Sequence, residues 1–379
     1  MGPLEGLRVV EVGQALAGPL AGAILADMGA EVVKVEKPEG GDDARGWGPP
    51  WGPPLGGDTS LYFHGQNRNK LGVTLDLKAA GDVEALHRLC ETADILIQNL
   101  RPGVVDELGI GPEAMLGRHP RLVYCSIWAF GYEGPMRLAP GFDPLLQAYG
   151  AMMSLTGRPE DPPTFCGASI NDKATGMFCV IGALAALRQR DRTGRGCLVD
   201  TSLFETAVHW VEGPLNAFLA DGQVPKRHGT GGAVIVPYQV FDTADRPLCL
   251  AAGNDRLWVR CARVLGHPEW GMEPRFATGP QRVRNEGELS ALIQGAREGR
   301  SRAEWLDALA AAGVPSGPVN DIAELAATEQ LSAVGILQEL PEGGPRVAGL
   351  PISFDRKRPL STRRAPKLGE HNGQVLGRP

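Results

Sequence analysis

The sequence is notable first for what is missing. Its seven cysteines (Cys90, Cys125, Cys166, Cys179, Cys197, Cys249 and Cys261) are odd in number, widely spaced and contain no Cys-x-x-Cys. That disfavours a disulfide framework, a dithiol redox motif and a structural zinc site. Most sit inside apolar runs such as Val123 to Ile127, the pattern of reduced, buried thiols in a cytoplasm-like compartment. There is no excess of basic charge: the net charge is -6, which argues against a nucleic-acid footprint. No G-x4-G-K-[ST] loop and no G-x-S-x-G elbow occurs, and the histidines (His64, His87, His119, His209, His228, His267 and His371) form no motif. No metal-ligand cluster is evident, so no metal is expected. No apolar run approaches the roughly 20 residues of a membrane span, and Glu5, Arg8 and Glu11 interrupt any signal-peptide core. No internal repeat is visible.

What is present is a 379-residue chain with 43% hydrophobic and 22% charged residues, ordinary for a globular protein and long enough for about two domains. Its 51 glycines and 31 prolines fall at strand ends and in loops. Leu7 to Val12 reads as a strand ending at Gly13. An Ala/Leu-rich segment opened by Gly18-Pro19 reads as a helix to Met28, and Glu31 to Val35 as a second strand. The pattern continues with strand Gly72 to Leu77, helix Ala79 to Thr92, and strands Asp94 to Gln98 and Arg121 to Ile127. Such alternation predicts an α/β fold, a doubly wound parallel sheet with helices on both faces. Ligands of such sheets bind beyond the carboxyl ends of the strands, here Gly13, Glu36, Asn99 and the Trp128 region. The Gly/Pro/Trp-rich stretch Gly40 to Gly57 is long for a connection and reads as a binding loop. Met177 to Leu187 is apolar all round and predicts a buried central helix.

Beyond Gly222 the character changes. Val234 to Thr243 and Pro247 to Ala251 alternate like antiparallel strands. Asp255 to Leu265, Glu286 to Ala296 and Ser301 to Ala312 read as helices, the last with Ser301 as N-cap. This predicts a Rossmann-like large domain over 1–215, completed by 330–379, and a smaller α+β domain over 226–325. The Pro- and Arg-rich tail from Gly349 is expected to wrap over a surface.

Two aspartates stand out. Asp172, in Ala168 to Gly176, precedes the apolar helix, where backbone N–H groups and the helix dipole favour an ionised carboxylate. It could cap the helix, or attack an activated acyl group; local sequence leaves both open. Asp143, in Gly141-Phe142-Asp143, has the same pair of readings, and spacing does not say whether the two carboxylates meet. Lys37, Arg68, Lys70, Lys78 and Arg101 lie near loops of the N-terminal unit, where a phosphorylated ligand needs cations; scattered surface charge is the plainer alternative. Gly13, Gly18, Gly22 and Glu36 have a superficial dinucleotide-binding look, as in a nicotinamide oxidoreductase, but the spacing is not G-x-G-x-x-G.

Ten stretches in order, from LEGLRVVEVGQALAGP through GAEVVKVEKPEGGDDARGWGPP, NRNKLGVTLDLK and ADILIQNLRPGVVDELGIG to INDKATGM, GCLVDTSLFE and AGVPSGPV, resemble the class III CoA-transferases, closest to the succinyl-CoA-dependent dicarboxylate branch. The resemblance runs from residue 4 to about 319 and more weakly into the tail. It implies a transferase that moves coenzyme A from an acyl-CoA to a carboxylic acid, with Asp172 as nucleophile; Asp143 is kept as a second candidate catalytic carboxylate, its distance from Asp172 left open. It implies CoA contacts at Ala15, Leu16, Lys37, Leu75 to Lys78, Asn99, Leu100 and Arg101, a glycine flap around Gly231 and Gly232, and an interlocked homodimer. Leu16 stands where formyl-CoA transferase has a glutamine, which argues against oxalate as acceptor. Pro140 stands where some members have a lysine. The α-methylacyl-CoA racemases of the same fold have Gly-His-Asp where this chain has Phe142, and a phenylalanine cannot exchange a proton.

Overall fold

The structure, a computed structural model, describes residues 2–51, 59–297 and 299–377. Residues 52–57 of the Gly/Pro/Trp-rich loop lie outside the described residues.

The chain divides into two compact units. The first is Met1–Met152 with Phe165–Asp221 and Glu329–Pro379; the second is Met153–Thr164 with Gly222–Thr328. In the first, β1 (Arg8–Val12), β2 (Glu31–Glu36), β3 (Lys70–Thr74), β4 (Ile95–Gln98), β5 (Val123–Trp128) and β6 (Leu198–Ser202) form one six-stranded sheet in the order β3-β2-β1-β4-β5-β6. Every pairing in it is parallel. β1, β2, β4 and β5 are covered on both faces, so apolar residues occupy successive positions in them, whereas the edge strand β6 is partly exposed. Val9, Val32, Ile95, Val123 and Cys125 point to one side and join the core made with α1 (Ala17–Asp27). Their neighbours Val10, Val33, Leu96 and Tyr124 point to the other, against α2 (Ala80–Cys90). Each such side chain removed from water contributes about 1.5–3 kcal/mol. This is the doubly wound sheet that the alternating pattern predicts.

The direction of winding reverses between β1 and β4. There the loops after the two strands diverge and leave a crevice, the place where such sheets bind ligands. The sequence reading did not contain the edge strand β6, and two further elements depart from it. β3 begins two residues earlier than expected. Its outer edge is occupied by the tail: Gly72 N–H donates to His371 Nδ1 at 3.0 Å, and Thr74 N–H to Asn372 Oδ1 at 2.9 Å. An edge strand that would otherwise present free backbone groups is thereby closed. The central helix is longer than expected, running from Ile170 to Thr193 as α4, after α3 (Asp143–Tyr149). It is not buried on every side: Met177 is 45% and Ile181 61% exposed. It is long and apolar enough to cross a membrane by length and composition, but half of that window is buried within the protein. Hydropathy reports what a helix is made of, not what covers it.

The second unit carries the expected antiparallel strands β7 (Tyr238–Phe241) and β8 (Leu248–Ala251), with β9 (Ser316–Pro318) beside β8. Helices Asp255–Val264, Glu286–Ala296 and Arg302–Ala311 pack on them around Trp258, Leu289 and Trp305. Ser301 and Glu304 close a capping box at the start of the third.

Candidate active site

A cleft of about 520 Å³ opens at the crevice. Its wall includes Gln14 to Ala17 after β1, Asn99 to Pro102 after β4, Ile127 to Ala129 at the end of β5, Pro140 to Phe142, and Asp172. A smaller cleft of about 240 Å³ is lined by Lys37, Gly41, Asp42 and Leu75 to Lys78 after β2 and β3. The two share Gln14, Leu100 and Val104, so they adjoin.

Asp172 is the third residue of α4, not the residue before it. The amides that were expected to stabilise its carboxylate serve another group. Asp143 Oδ2 accepts the N–H of Asn171 at 2.7 Å and of Asp172 at 3.0 Å. Asp143 therefore caps α4 from another helix, where Ser169 makes no side-chain cap and takes a left-handed φ of 47°. Gln147 donates to Asp143 Oδ1 and to the Cys166 carbonyl oxygen, and accepts the Cys166 N–H, tying the preceding loop to α3. The Asp172 carboxylate accepts no hydrogen bond among the described residues, and it faces the cleft. Burial pushes its pKa up, and the charge of Asp143 pushes it further, to about 7. The expectation of a carboxylate held in its charged form by backbone amides is thus corrected. The amides are bonded elsewhere, and desolvation dominates.

Close packing brings Asp172 to the loop after β1. A Cβ at Gly176, one turn along α4, would lie 2.7 Å from the Ala17 carbonyl oxygen, so only glycine admits this approach. Asn99 braces the same loop: its side chain accepts the Gln14 N–H and donates to the Gln14 carbonyl oxygen, both at 2.8 Å.

The other sequence-derived residues divide. Ala15, Leu16, Asn99, Leu100 and Arg101 line the larger cleft, and Lys37, Leu75, Lys78 and Leu100 the smaller. Lys37 and Asp43 pair at 2.9 Å on the surface. Asp143 is buried and absent from the cleft wall. Gly231 and Gly232 belong to the second unit, where Gly231 N–H donates to the His228 carbonyl oxygen. Arg68 and Lys70 are not available to a phosphate: Arg68 is buried against Asp27, and Lys70, fully buried, pairs with Glu11 at 2.6 Å. Glu36, the acidic residue of the dinucleotide reading, is occupied by Arg45 at 2.7 Å and the Asp42 N–H at 2.9 Å. Sequence reasoning did not single out Gln14, Asp42, Gln147 or Gly176; the contacts that give them meaning are all long-range. Among the described residues no group of three or more His, Cys, Asp or Glu could hold a metal ion, and the seven cysteines are all free thiols.

A doubly wound parallel sheet thus carries a two-part groove at its switch point, and the Asp172 carboxylate faces that groove. Residues 4–372 match CoA-transferase family III, and the chain belongs to that family. It is 37% identical to the acetyl-CoA:oxalate CoA-transferase of Acetobacter aceti over 99% of this chain and 95% of that one. It is equally 37% identical to the succinate–glutarate CoA-transferase of Agrobacterium fabrum, again over 99% of this chain and 95% of the relative. The crystal structure of a CAIB/BAIF family protein from Brucella suis superposes with a TM-score of 0.88 at 37% identity, covering 99% of both chains.

Proposed function

We propose that this CoA-transferase carries CoA between a short dicarboxylic acid and a second carboxylic acid, with Asp172 as the covalent nucleophile. The observation that carries this reading is the Asp172 carboxylate: it faces the cleft, is free of hydrogen bonds among the described residues, and is raised to about 7. A poorly solvated carboxylate is a strong nucleophile once ionised. It attacks the donor thioester carbonyl; the C–S bond breaks and CoA leaves as thiolate, giving an aspartyl mixed anhydride. The thiolate attacks the aspartyl carbonyl of the anhydride, releasing the donor acid and leaving an aspartyl-CoA thioester. The acceptor carboxylate attacks that thioester and displaces CoA thiolate, forming a second anhydride. The thiolate then takes the acceptor acyl group and regenerates the Asp172 carboxylate. Each step exchanges one activated carbonyl for another, so no nucleotide triphosphate or metal is required.

In this scheme the nucleotide end of CoA occupies the smaller cleft near Lys37 and Lys78, and the pantetheine arm passes Leu100 and Ala15 toward Asp172. That tether keeps the expelled thiolate at hand. The larger unit is then the CoA-binding domain. A dicarboxylate substrate is supported by the relative whose name specifies succinate and glutarate; the oxalate in the other relative's name runs against the Leu16 argument, so the choice among dicarboxylates does not rest on Leu16. Phe142 in the cleft wall offers no proton, which favours transfer over epimerisation. A homodimer is supported by the exposed apolar side chains Met177 and Ile181 of the central helix. Unpaired thiols fit a reducing compartment, the cytoplasm.

The test is Asp172→Ala assayed against a panel of acyl-CoA donors and acids. Transfer should vanish while calorimetry still detects CoA. Wild-type rates in that variant would remove Asp172 from the mechanism.

A further inference from the structure

Beneath the loop that carries Gln14 to Ala17 lies a buried ionic network. Lys34, fully buried, donates to Glu11 at 3.1 Å, to Asp42 at 2.9 Å and to the Gly13 carbonyl oxygen at 2.8 Å. Glu11 also pairs with Lys70, and Glu36 with Arg45. The carboxylates Glu11, Asp42 and Glu36 are thus matched by Lys34, Lys70 and Arg45. Burial works against the charge on Lys34, but Glu11 and Asp42 outweigh it and hold its pKa well above the ordinary value. Burial likewise pushes Asp42 up; Lys34 and the amides of Ala15 and Ala44 more than reverse this. A network of this kind is weak evidence for stability, because apolar replacements are often as stable.

What the network holds is a strained residue. Asp42 Oδ1 accepts the Ala15 N–H at 3.0 Å, as well as the Ala44 N–H at 2.9 Å. Ala15 has a φ of 64°, in the left-handed region, which disfavours a residue with a Cβ by roughly tenfold. Immediately after it, Leu16 and Ala17 form cleft wall beside Asp172.

We propose that Asp42, anchored by Lys34, is a positioning residue for acyl-CoA binding: its Oδ1 holds Ala15 in the left-handed turn that sets Leu16 and Ala17 into the cleft. This rests on the CoA-transferase reading of that cleft. Asp42 also caps the 3-10 turn Asp43–Gly46, so a loss of affinity in one variant would not by itself identify the role. The discriminating measurement is a double-mutant cycle, because glycine adopts a positive φ without penalty.

CoA affinity of the full chain is measured by calorimetry for wild type, Asp42→Ala, Ala15→Gly and the double variant, with KM and kcat for an acyl-CoA the wild type turns over. Asp42→Ala should weaken CoA binding by roughly tenfold and raise KM in parallel, with kcat changed by less than about threefold. Adding Ala15→Gly to Asp42→Ala should return at least about threefold of the loss, once the effect of Ala15→Gly in the wild-type background is subtracted. Should Asp42→Ala not fold, Asp42→Asn, which keeps volume and an acceptor oxygen, takes its place with a loss of about threefold, again recovered by Ala15→Gly. Unchanged affinity, or a cycle without coupling, overturns the positioning role and leaves the cleft reading intact. Failure of the wild-type protein to bind CoA overturns the cleft reading itself.

Discussion

Asp172→Asn offers a test in which loss of activity and gain of stability go together. The Asp172 carboxyl has its pKa raised from 3.8 to about 7 by burial and by Asp143. In the unfolded chain it titrates near 4, so between these values the native state binds more protons than the unfolded one. Stability is therefore greatest below about pH 4 in this respect and falls as pH rises toward 7. A displacement of roughly three units corresponds to about 4 kcal/mol of strain above pH 7, taken as an upper bound. Asparagine fills the same volume and cannot ionise, so the variant escapes that loss. For 379 residues the unfolding entropy scales to about 0.8 kcal/mol per degree. The melting temperature of Asp172→Asn minus that of wild type should then grow by about 2–5 °C between pH 5 and pH 8. Scanning calorimetry at the two pH values is the assay. A difference that stays constant, or shrinks, with rising pH would refute the claim that Asp172 is a desolvated carboxylate crowded by Asp143.

Three further outcomes follow from the geometry. In wild type, kcat/KM for an acyl-CoA should rise with pH through about 7, as the Asp172 carboxylate ionises; Asp143→Asn, which keeps an oxygen for the α4 amides but removes the charge, should move that limb to lower pH. Asp143→Ala removes the acceptor from the Asn171 and Asp172 amides, and should lower stability by about 1–2 kcal/mol in urea titrations. Gly176→Val sets a branched side chain against the Ala17 carbonyl oxygen; it should cost about 1–3 kcal/mol in stability by urea titration and weaken CoA binding by calorimetry.

The sheet was legible because its strands carry the signature of burial on both faces. Val9-Val10 and Val32-Val33 place apolar side chains on opposite sides; Glu11, Lys34 and Glu36 interrupt these runs and are buried all the same. The crevice followed from the winding order; Asp172 was singled out by the apolar run that follows it and by the ordered family stretches, and the structure sets it inside the first turn of α4. What could not be read was everything decided by partners distant in sequence. Asp143 and the amide of Asp172 are 29 residues apart, and nothing local shows that one helix is capped by a residue of another. Arg68 and Lys70 looked like surface cations because charge near a loop is usually solvated; the buried acids Asp27 and Glu11 that neutralise them lie on α1 and β1. β3 runs over Lys70–Thr74 where Gly72 to Leu77 was read, and the groups that complete its edge, His371 and Asn372, lie nearly three hundred residues on. The same holds for Ala15, an unremarkable alanine in sequence whose left-handed turn depends on Asp42.

The most direct measurement is peptide mass spectrometry of the enzyme quenched with hydroxylamine during turnover with an acyl-CoA and an acceptor acid. The account predicts a hydroxamate on the peptide that contains Asp172, dependent on the acyl-CoA and absent from Asp172→Ala. Turnover with that peptide unmodified, or with the adduct on another carboxylate, would contradict it.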